Sequence, residues 1–338
     1  MRLGRDFTNL LEYEYLTKED REDFLAGKLA VPDMDATVQI KVKADIPRQC
    51  QVAAETGLQH VELDGRIPNP YLSLTKDQIK KARAAAEKYD ITLSIHLPYT
   101  FTASATCGFQ EEDRAVAVAY LKRYLDFAAE VGCKFTVMHP GQIPFYQAVG
   151  RYLEISNGML LASLTELGEY SDKKKMPLHM ENNTFWDGRL YTADECLPIF
   201  AEIRKRGINI KFCFDLAHEF TGYKTLAEIP EHPEERYHAV PNDLYMGIQI
   251  GDFIPEGRLF HPPMHRLLGR LKREHIVNMF RIFKEKGVQY VVIESAVRER
   301  DDLIHAFELQ AEEARFMRDA MTEALASPAP APRVTPRP

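Results

Sequence analysis

The chain is expected to fold as an α/β protein, a closed parallel (β/α)₈ barrel, and three observations predict this. Apolar runs alternate with helical segments along most of the length. The runs stop on polar residues: VELD at Asp64, LSIH at His96, TVMH at His139, LHME at Glu181, FCFD at Asp215, GIQIGD at Asp252 and VVIE at Glu294. Helical segments often stop at a glycine just before the next run, at Gly57, Gly132, Gly207 and Gly287, the left-handed residue that ends a helix. A buried strand that ends in a charge points that charge into a shared site. Such ends converge only when parallel strands form a ring, whose C-terminal face carries the site.

Residues 1–36 read as an N-terminal extension holding a short helix over 17–26, capped by Thr17 with acids in its first turn. The barrel is expected over 37–325, with a first strand at 37–42 and a helix near 47–56. Strands then follow at 59–63, 91–96, 134–139, 177–181, 210–215, 244–250 and 289–294. Helices are placed between them at 76–89, 111–131, 148–170, 193–205 and 272–286, with a last one at 301–325. The sixth helix position, 223–240, is broken by the prolines of EIPEHPEE. Residues 326–338 form a tail; SPAPAPRVTPRP cannot pack and is expected to be disordered.

The 338 residues suffice for a large core, and 45% hydrophobic with 28% charged residues is ordinary for a globular enzyme. A net charge of −7 with no Lys/Arg-rich run argues against nucleic acid as the main partner. No apolar run of membrane-spanning length occurs, and the charged N-terminal stretch has no signal-peptide core. The 5 cysteines are scattered, without a CxxC pair, as in a reduced cytoplasm. No GxGxxG, Walker or GxSxG motif supports nicotinamide, ATP or serine-hydrolase chemistry.

Glu181, Asp215 and Glu294 are the leading site candidates. Three carboxylates meeting at one barrel mouth repel unless a cation lies between them, and oxygen donors suit Mn²⁺ or Mg²⁺. Gln249 is the candidate neutral fourth donor. His218 follows Asp215 in a DxxH pattern and faces the mouth or, alternatively, the surface. His96 and His139 each precede a proline or Leu-Pro; they are read as binding hydroxyls, holding a second metal, shuttling a proton, or simply packing. Glu62 and Asp64 share one face of the second assigned strand. Trp186 offers a surface for a sugar ring, His261 sits in a lid-like loop, and Arg298 offers a charge to an anionic substrate.

HLPY, HPG, the Glu of HMENN, FDLAH and the Glu of VVIES resemble the xylose-isomerase-like barrel superfamily over about residues 37–317. That group holds sugar isomerases and epimerases and, more distantly, the family-2 apurinic endonucleases and the large subunit of C-glycoside deglycosidases. The resemblance implies a metal on Glu181, Asp215, Gln249 and Glu294, with Gln249 standing where the family has histidine. That exchange favours Mn²⁺, with Mg²⁺ or Co²⁺ as alternatives, over Zn²⁺. RLFH puts Leu259 where the endonucleases need an aspartate. The implied activity is proton transfer beside a sugar carbonyl, with Glu181 and Glu294 as acid and base, His218 orienting oxygen and His139 as a further acid/base. His96, Glu62, Trp186, His261 and Arg298 would bind substrate. The alternatives are a lyase that eliminates an aglycone from a 3-oxo-glycoside with a small partner subunit, an endonuclease, and a sugar-binding barrel without activity. A homo-oligomer is also compatible, with 1–36 as an interface.

Overall fold

The computed structural model describes residues 1–326, and the proline-rich stretch from Ser327 lies outside the described residues. Eight parallel strands make one sheet: β1 (Arg2–Arg5), β2 (His60–Leu63), β3 (Thr92–His96), β4 (Thr136–Met138), β5 (Leu178–Glu181), β6 (Ile210–Cys213), β7 (Gly247–Ile250) and β10 (Tyr290–Ile293). β8 (Phe253–Ile254) and β9 (Leu259–Phe260) form a separate antiparallel hairpin after β7. The hydrogen-bonded order runs β6-β5-β4-β3-β2-β1-β10-β7, so the ring closes everywhere except between β6 and β7. Across that seam the Cys213 thiol donates to Gln249 Oε1 at 3.4 Å. The result is a nearly closed (β/α)₈ barrel.

The helices are α1 (Lys18–Leu25), α2 (Val31–Ala44), α3 (Ile46–Glu55), α4 (Lys76–Lys88), α5 (Glu111–Val131), α6 (Gly150–Lys174), α7 (Ala193–Lys205), α8 (Leu216–Phe220), α9 (Arg273–Lys286), α10 (Arg300–Ile304) and α11 (Ala306–Ala326). Local chemistry sets their ends. Thr75 and Gln78 close a capping box on α4, Thr192 and Glu195 another on α7, and Gly132 ends α5 in the left-handed region at φ 90°. As expected, no regular helix replaces the proline-broken stretch after β6, which carries a 3₁₀ turn over Pro233–Ala239.

The start of the barrel differs from the expectation. Residues 37–42, read as the first strand, lie inside α2, and the first strand is Arg2–Arg5. TVQIKV alternates like a strand, but Met34, Val38 and Val42 also recur at helical spacing, and these are the buried apolar side chains of the helix. Pro32 sits in the first turn of α2, where its missing N–H costs nothing. RLGR has one large apolar residue and no visible pattern. Gly4 is needed there because a Cβ would lie 2.3 Å from the His60 carbonyl oxygen of β2. Residues 1–36 are therefore not an appendage: they supply β1 and begin a long β1–β2 connection made of α1, α2 and α3.

Inside the ring, the floor is packed by Phe135, Val137 and Cys213 with Tyr290 against them. His60 and His179 lie against Phe135, at ring-centroid distances of 5.5 and 4.7 Å. The 5 cysteines are buried and free of disulfides. No helix among the described residues is long and apolar enough to cross a membrane.

Candidate active site

Above the floor, the strand ends enclose a cavity of about 360 Å³. Its lining includes Glu62, His96, His139, Glu181, His218, His261 and Glu294, all named as candidates from the sequence. It also includes Asp6, Asp64, Arg66, Tyr99 and Phe260. Asp6 went unnoticed in the sequence because it follows β1, which was assigned elsewhere. Asp215 is buried beside this cavity and caps α8, its Oδ1 accepting the backbone N–H of Ala217 at 2.6 Å.

Three histidines have their tautomer fixed by the chain. His96 Nδ1 donates to the carbonyl of Leu97 at 2.7 Å, and His218 Nδ1 to the carbonyl of Asn182 at 2.7 Å. His139 Nδ1 donates to Asn183 Oδ1 at 3.1 Å; the Asn183 amide group is itself anchored on the Gly141 and Arg189 carbonyls. Each ring is left with Nε2 aimed at a carboxylate. His96 Nε2 lies 3.1 Å and His139 Nε2 3.7 Å from Glu181 Oε2, and His218 Nε2 lies 3.9 Å from Asp215 Oδ2. This is the arrangement in which the outer nitrogen of a ligating histidine is held by the protein.

His261 completes the group from the loop side. It lies just after the β8–β9 hairpin at φ +49°, a left-handed conformation that a non-glycine residue keeps only when its surroundings hold it. The Asp252 carbonyl accepts its N–H at 3.0 Å, and its own carbonyl accepts from Ala296 N–H at 2.9 Å. Gly251 makes room for the ring: a Cβ there would sit 1.9 Å from His261 Nδ1. His261 Nε2 is 3.3 Å from Glu294 Oε2.

Two donor groups result, each with atoms within 4.8 Å of one another: Asp215, His218, His261 and Glu294, and His96, His139 and Glu181. His218 Nδ1, 3.1 Å from Glu181 Oε1, joins them. Glu181 Oε1, Asp215 Oδ2 and both His261 ring nitrogens are buried without a hydrogen-bond partner. An orphaned buried polar atom costs about 1–3 kcal/mol. A divalent cation would satisfy Asp215 Oδ2 and one His261 ring nitrogen together, and two imidazoles with two carboxylates suit a borderline divalent ion.

The electrostatics agree. Burial pushes Glu181 well above the usual carboxylate range; the His218 ring opposes this, while Asp215, Glu62 and Asp6 add to it. Burial and the charges of Glu181, Asp6 and Asp215 likewise push Glu294 well up. Asp6 is raised to about 6 by burial and by Asp64. His139 is driven well below its ordinary value by burial and by His96 and His218, so it is held neutral. For His218, burial acts downward, but Asp215 and Glu181 outweigh it and raise the ring.

Three expected site residues lie elsewhere. Gln249 is one layer deeper, level with Val292 while Glu294 is two residues further along β10. Its amide donates to Glu62 Oε1 and its oxygen accepts from Cys213, so both ends of the side chain are engaged in the barrel interior. His261, from the loop after β7, brings an imidazole into the candidate donor group that Gln249 does not join, so the argument against Zn²⁺ that rested on Gln249 no longer applies. Arg298 is exposed, donates to the Arg258 carbonyl at 3.1 Å and does not line the cavity. Trp186 lines an adjoining cleft rather than this one. Asp252, one of the seven strand-end polar residues, turns away to accept the Leu271 N–H at 3.1 Å.

A parallel barrel with a histidine–carboxylate cluster at its strand C-termini is the class defined by this fold and site. The chain belongs to the xylose isomerase-like TIM barrel family, whose model matches residues 50–320. Among curated proteins it is similar to two uncharacterized proteins of Methanocaldococcus jannaschii, each 24% identical, over 135 and 149 residues. Those matches cover 40% and 44% of this chain, and the chain spans about half the length of the relatives, 49% of each. Among solved structures it is similar in fold to the 3-keto-D-glucoside 4-epimerase of E. coli (TM-score 0.64, 18% identity, 94% of this chain and 99% of that one). It is also similar to D-psicose 3-epimerase of Clostridium cellulolyticum H10 (TM-score 0.66, 13% identity, 95% and 99%). A third neighbour is a xylose isomerase-like TIM barrel protein of Mycobacterium smegmatis in complex with magnesium (TM-score 0.54, 16% identity, 81% and 89%).

Proposed function

We propose that the protein is a metal-dependent sugar isomerase or epimerase that moves a proton at the carbon beside a sugar carbonyl. The observation that carries this reading is the set of buried, unpartnered donor atoms on Asp215, His261 and Glu181, gathered with Glu294 and His218 around one sugar-sized cavity. The name of the E. coli neighbour places its reaction at the carbon next to a ketone, the same chemistry. Asp215, His218, His261 and Glu294 would hold a divalent cation, which supplies Lewis-acid polarisation of a carbonyl and its neighbouring hydroxyl. The donor set admits Mn²⁺, Mg²⁺, Co²⁺ or Zn²⁺.

The chain's own groups perform the proton transfer. Glu181 and Glu294 reach the cavity from β5 and β10, strands that are not neighbours in the ring, so the two carboxyls can address different faces or carbons of a substrate. Burial raises Glu181, which lies outside the proposed ligand set, and a raised carboxyl suits a group that takes and returns a carbon-bound proton. His96 holds one Glu181 oxygen and fixes the direction of its lone pairs. Neutral His139, also beside that oxygen, is placed to relay a proton between Glu181 and a substrate hydroxyl. Tyr99 and Phe260 form flat walls against which a sugar ring can lie. A cavity lined by Asp6, Glu62, Asp64, Glu181, Asp187 and Glu294, with Arg66 as its one permanent cation among the described residues, would repel the phosphates of DNA, which disfavours a nuclease.

Elemental analysis of the purified wild type and of Glu294→Gln, with deuterium incorporation from D₂O into ketoses and 3-oxo-glycosides followed by NMR, tests the reading. About one divalent ion per chain, lost in the variant, together with exchange at a carbon next to a carbonyl, supports it. A wild type that binds no metal after incubation with Mn²⁺ or Zn²⁺, and exchanges no proton, sinks it.

A further inference from the structure

The side of the reaction cavity that faces Glu181 and Asp215 carries carboxyl groups that the proton transfer does not use. Asp6 and Asp64 follow β1 and β2, which stand four places from β5 and β6 in the eight-strand ring, directly across the mouth. Both line the cavity. Asp6 is buried, its N–H donates to the Ile293 carbonyl at 3.3 Å, and its Oδ2 accepts from the Thr8 hydroxyl. Its Oδ1 is buried with no hydrogen-bond partner. A bare buried carboxyl oxygen is costly, and at a cavity wall the O–H of a ligand relieves it.

The wall beside it is held firmly by α2. The buried Lys43 ammonium donates to the carbonyls of Arg66 and Pro68 at 2.5 and 3.2 Å and lies 3.2 Å from Asp64 Oδ2. Asp64 Oδ1 accepts the Arg66 N–H at 2.7 Å. The Arg66 guanidinium, also at the cavity, donates through Nη2 to Asp35 Oδ1 at 3.1 Å, while its Nε is buried without a hydrogen-bond partner. Burial acts upward on Asp64, but Lys43 and Arg66 outweigh it and hold the carboxyl below its ordinary range. At neutral pH Asp64 is therefore an acceptor only.

Two acceptors beside one guanidinium donor suit hydroxyl groups, each of which gives one hydrogen and offers lone pairs. Lys43 and Arg66 already supply positive charge on this side, which favours a neutral ligand over a second cation. We infer that Asp6, Asp64 and Arg66 form a subsite that reads two neighbouring hydroxyls at the end of the sugar remote from the reacting carbon. The inference rests on the sugar reading above and narrows its substrate class to free ketoses with a hydroxylated tail. A 3-oxo-glucoside has no neighbouring hydroxyl pair beyond the carbons that flank its ketone, and so lacks the group this wall would read.

The test is deuterium wash-in from D₂O on the Mn²⁺-loaded protein. The probes are D-fructose, D-psicose and D-tagatose, and dihydroxyacetone, which keeps the hydroxy-ketone end and lacks the tail. At least one ketohexose is expected to exceed dihydroxyacetone in kcat/KM by about a hundredfold or more. In Asp6→Ala that ketohexose is expected to lose about 10–100-fold, mostly through KM, and the loss for dihydroxyacetone to be at least about tenfold smaller. Asp6→Asn, which keeps an acceptor oxygen, recovers part of the loss. Asp35 does not line the cavity, and Asp35→Ala, which frees the Arg66 guanidinium, gives the same pattern at smaller amplitude; it decides the matter if Asp6→Ala does not fold. Equal losses on both kinds of substrate, no loss, or a wild type without the ketohexose preference overturn the inference. Exchange into 3-oxo-glycosides but into no ketohexose overturns it and leaves the sugar reading standing. No exchange into either removes both.

Discussion

Arg5 on the first strand and Glu313 on the last long helix form an ion pair at 3.2 Å with both side chains fully buried. Glu313 is satisfied on its other oxygen by the Ser295 hydroxyl at 2.8 Å and by the backbone N–H of Met264. One carboxylate thus ties β1, the segment after β10 and the loop after β7 to α11. Removing one partner leaves a buried charge unpaired, and Arg5→Met is expected to cost about 3–5 kcal/mol in urea unfolding. The double variant Arg5→Met/Glu313→Leu is expected to recover most of that loss. A single variant as stable as wild type would show that the pair is not holding the ring.

Gly251→Ala should act on the site without harming the fold. The added methyl would lie 1.9 Å from His261 Nδ1, and the ring must swing away from Glu294. Metal affinity is expected to drop about 10–100-fold, the range for disturbing the support of a ligand, with little change in unfolding midpoint of the metal-free protein. Calorimetric titration with Mn²⁺ or Zn²⁺ reads the affinity, and wild-type affinity would remove His261 from the donor set.

Loading the site should stabilise the protein by mass action. At a hundredfold excess of metal over its Kd the gain is about 2.7 kcal/mol, visible as a rise in Tm. Asp215→Asn should abolish most of that rise, since it weakens a carboxylate whose Oδ2 has no other partner. An equal rise in wild type and variant would place the metal elsewhere.

The barrel floor predicts a pH dependence. His60 is buried, 2.9 Å from the hydroxyls of both Thr92 and Ser94, and burial lowers it to about 3. The unfolded chain takes up this proton near pH 6.5 and the folded chain does not until about 3. Between those values the unfolded state binds more protons, so stability present above pH 6.5 is lost as pH falls, by roughly 1.4 kcal/mol per unit from this ring. His60→Gln removes that contribution. The gap in unfolding free energy between pH 7 and pH 4.5 is expected to be smaller in the variant than in wild type, and an equal gap would refute the assignment.

Most of the site was readable because strands β2 to β6 and β10 announce themselves as apolar runs closed by a charge. Glu181, Asp215 and Glu294 stand at or just beyond the ends of such runs. β1 was hidden because four residues, two of them arginine, carry too little apolar signal, while α2 offered a false alternation. Asp6 was lost with it. His261 was placed in a lid, whereas the hairpin and Gly251 fold it inward; a glycine directly after a buried strand was the available clue to a close approach. Gln249 was assigned by its place on the strand, and its depth in the ring depends on stagger, which no single strand reveals.

The break in the ring between β6 and β7 gives the donor cluster a mechanical meaning. Asp215 and His218 follow β6, and His261 follows β7, so the donors stand on opposite lips of the one place where no backbone hydrogen bonds stitch neighbouring strands together. A cation gripped by both lips would act as a clasp, tightening the seam as well as the chemistry. Amide exchange along β6 and β7 would then slow on loading while the rest of the ring stays as it was, so the ion that serves the substrate would also stiffen the barrel wall at its unstitched seam.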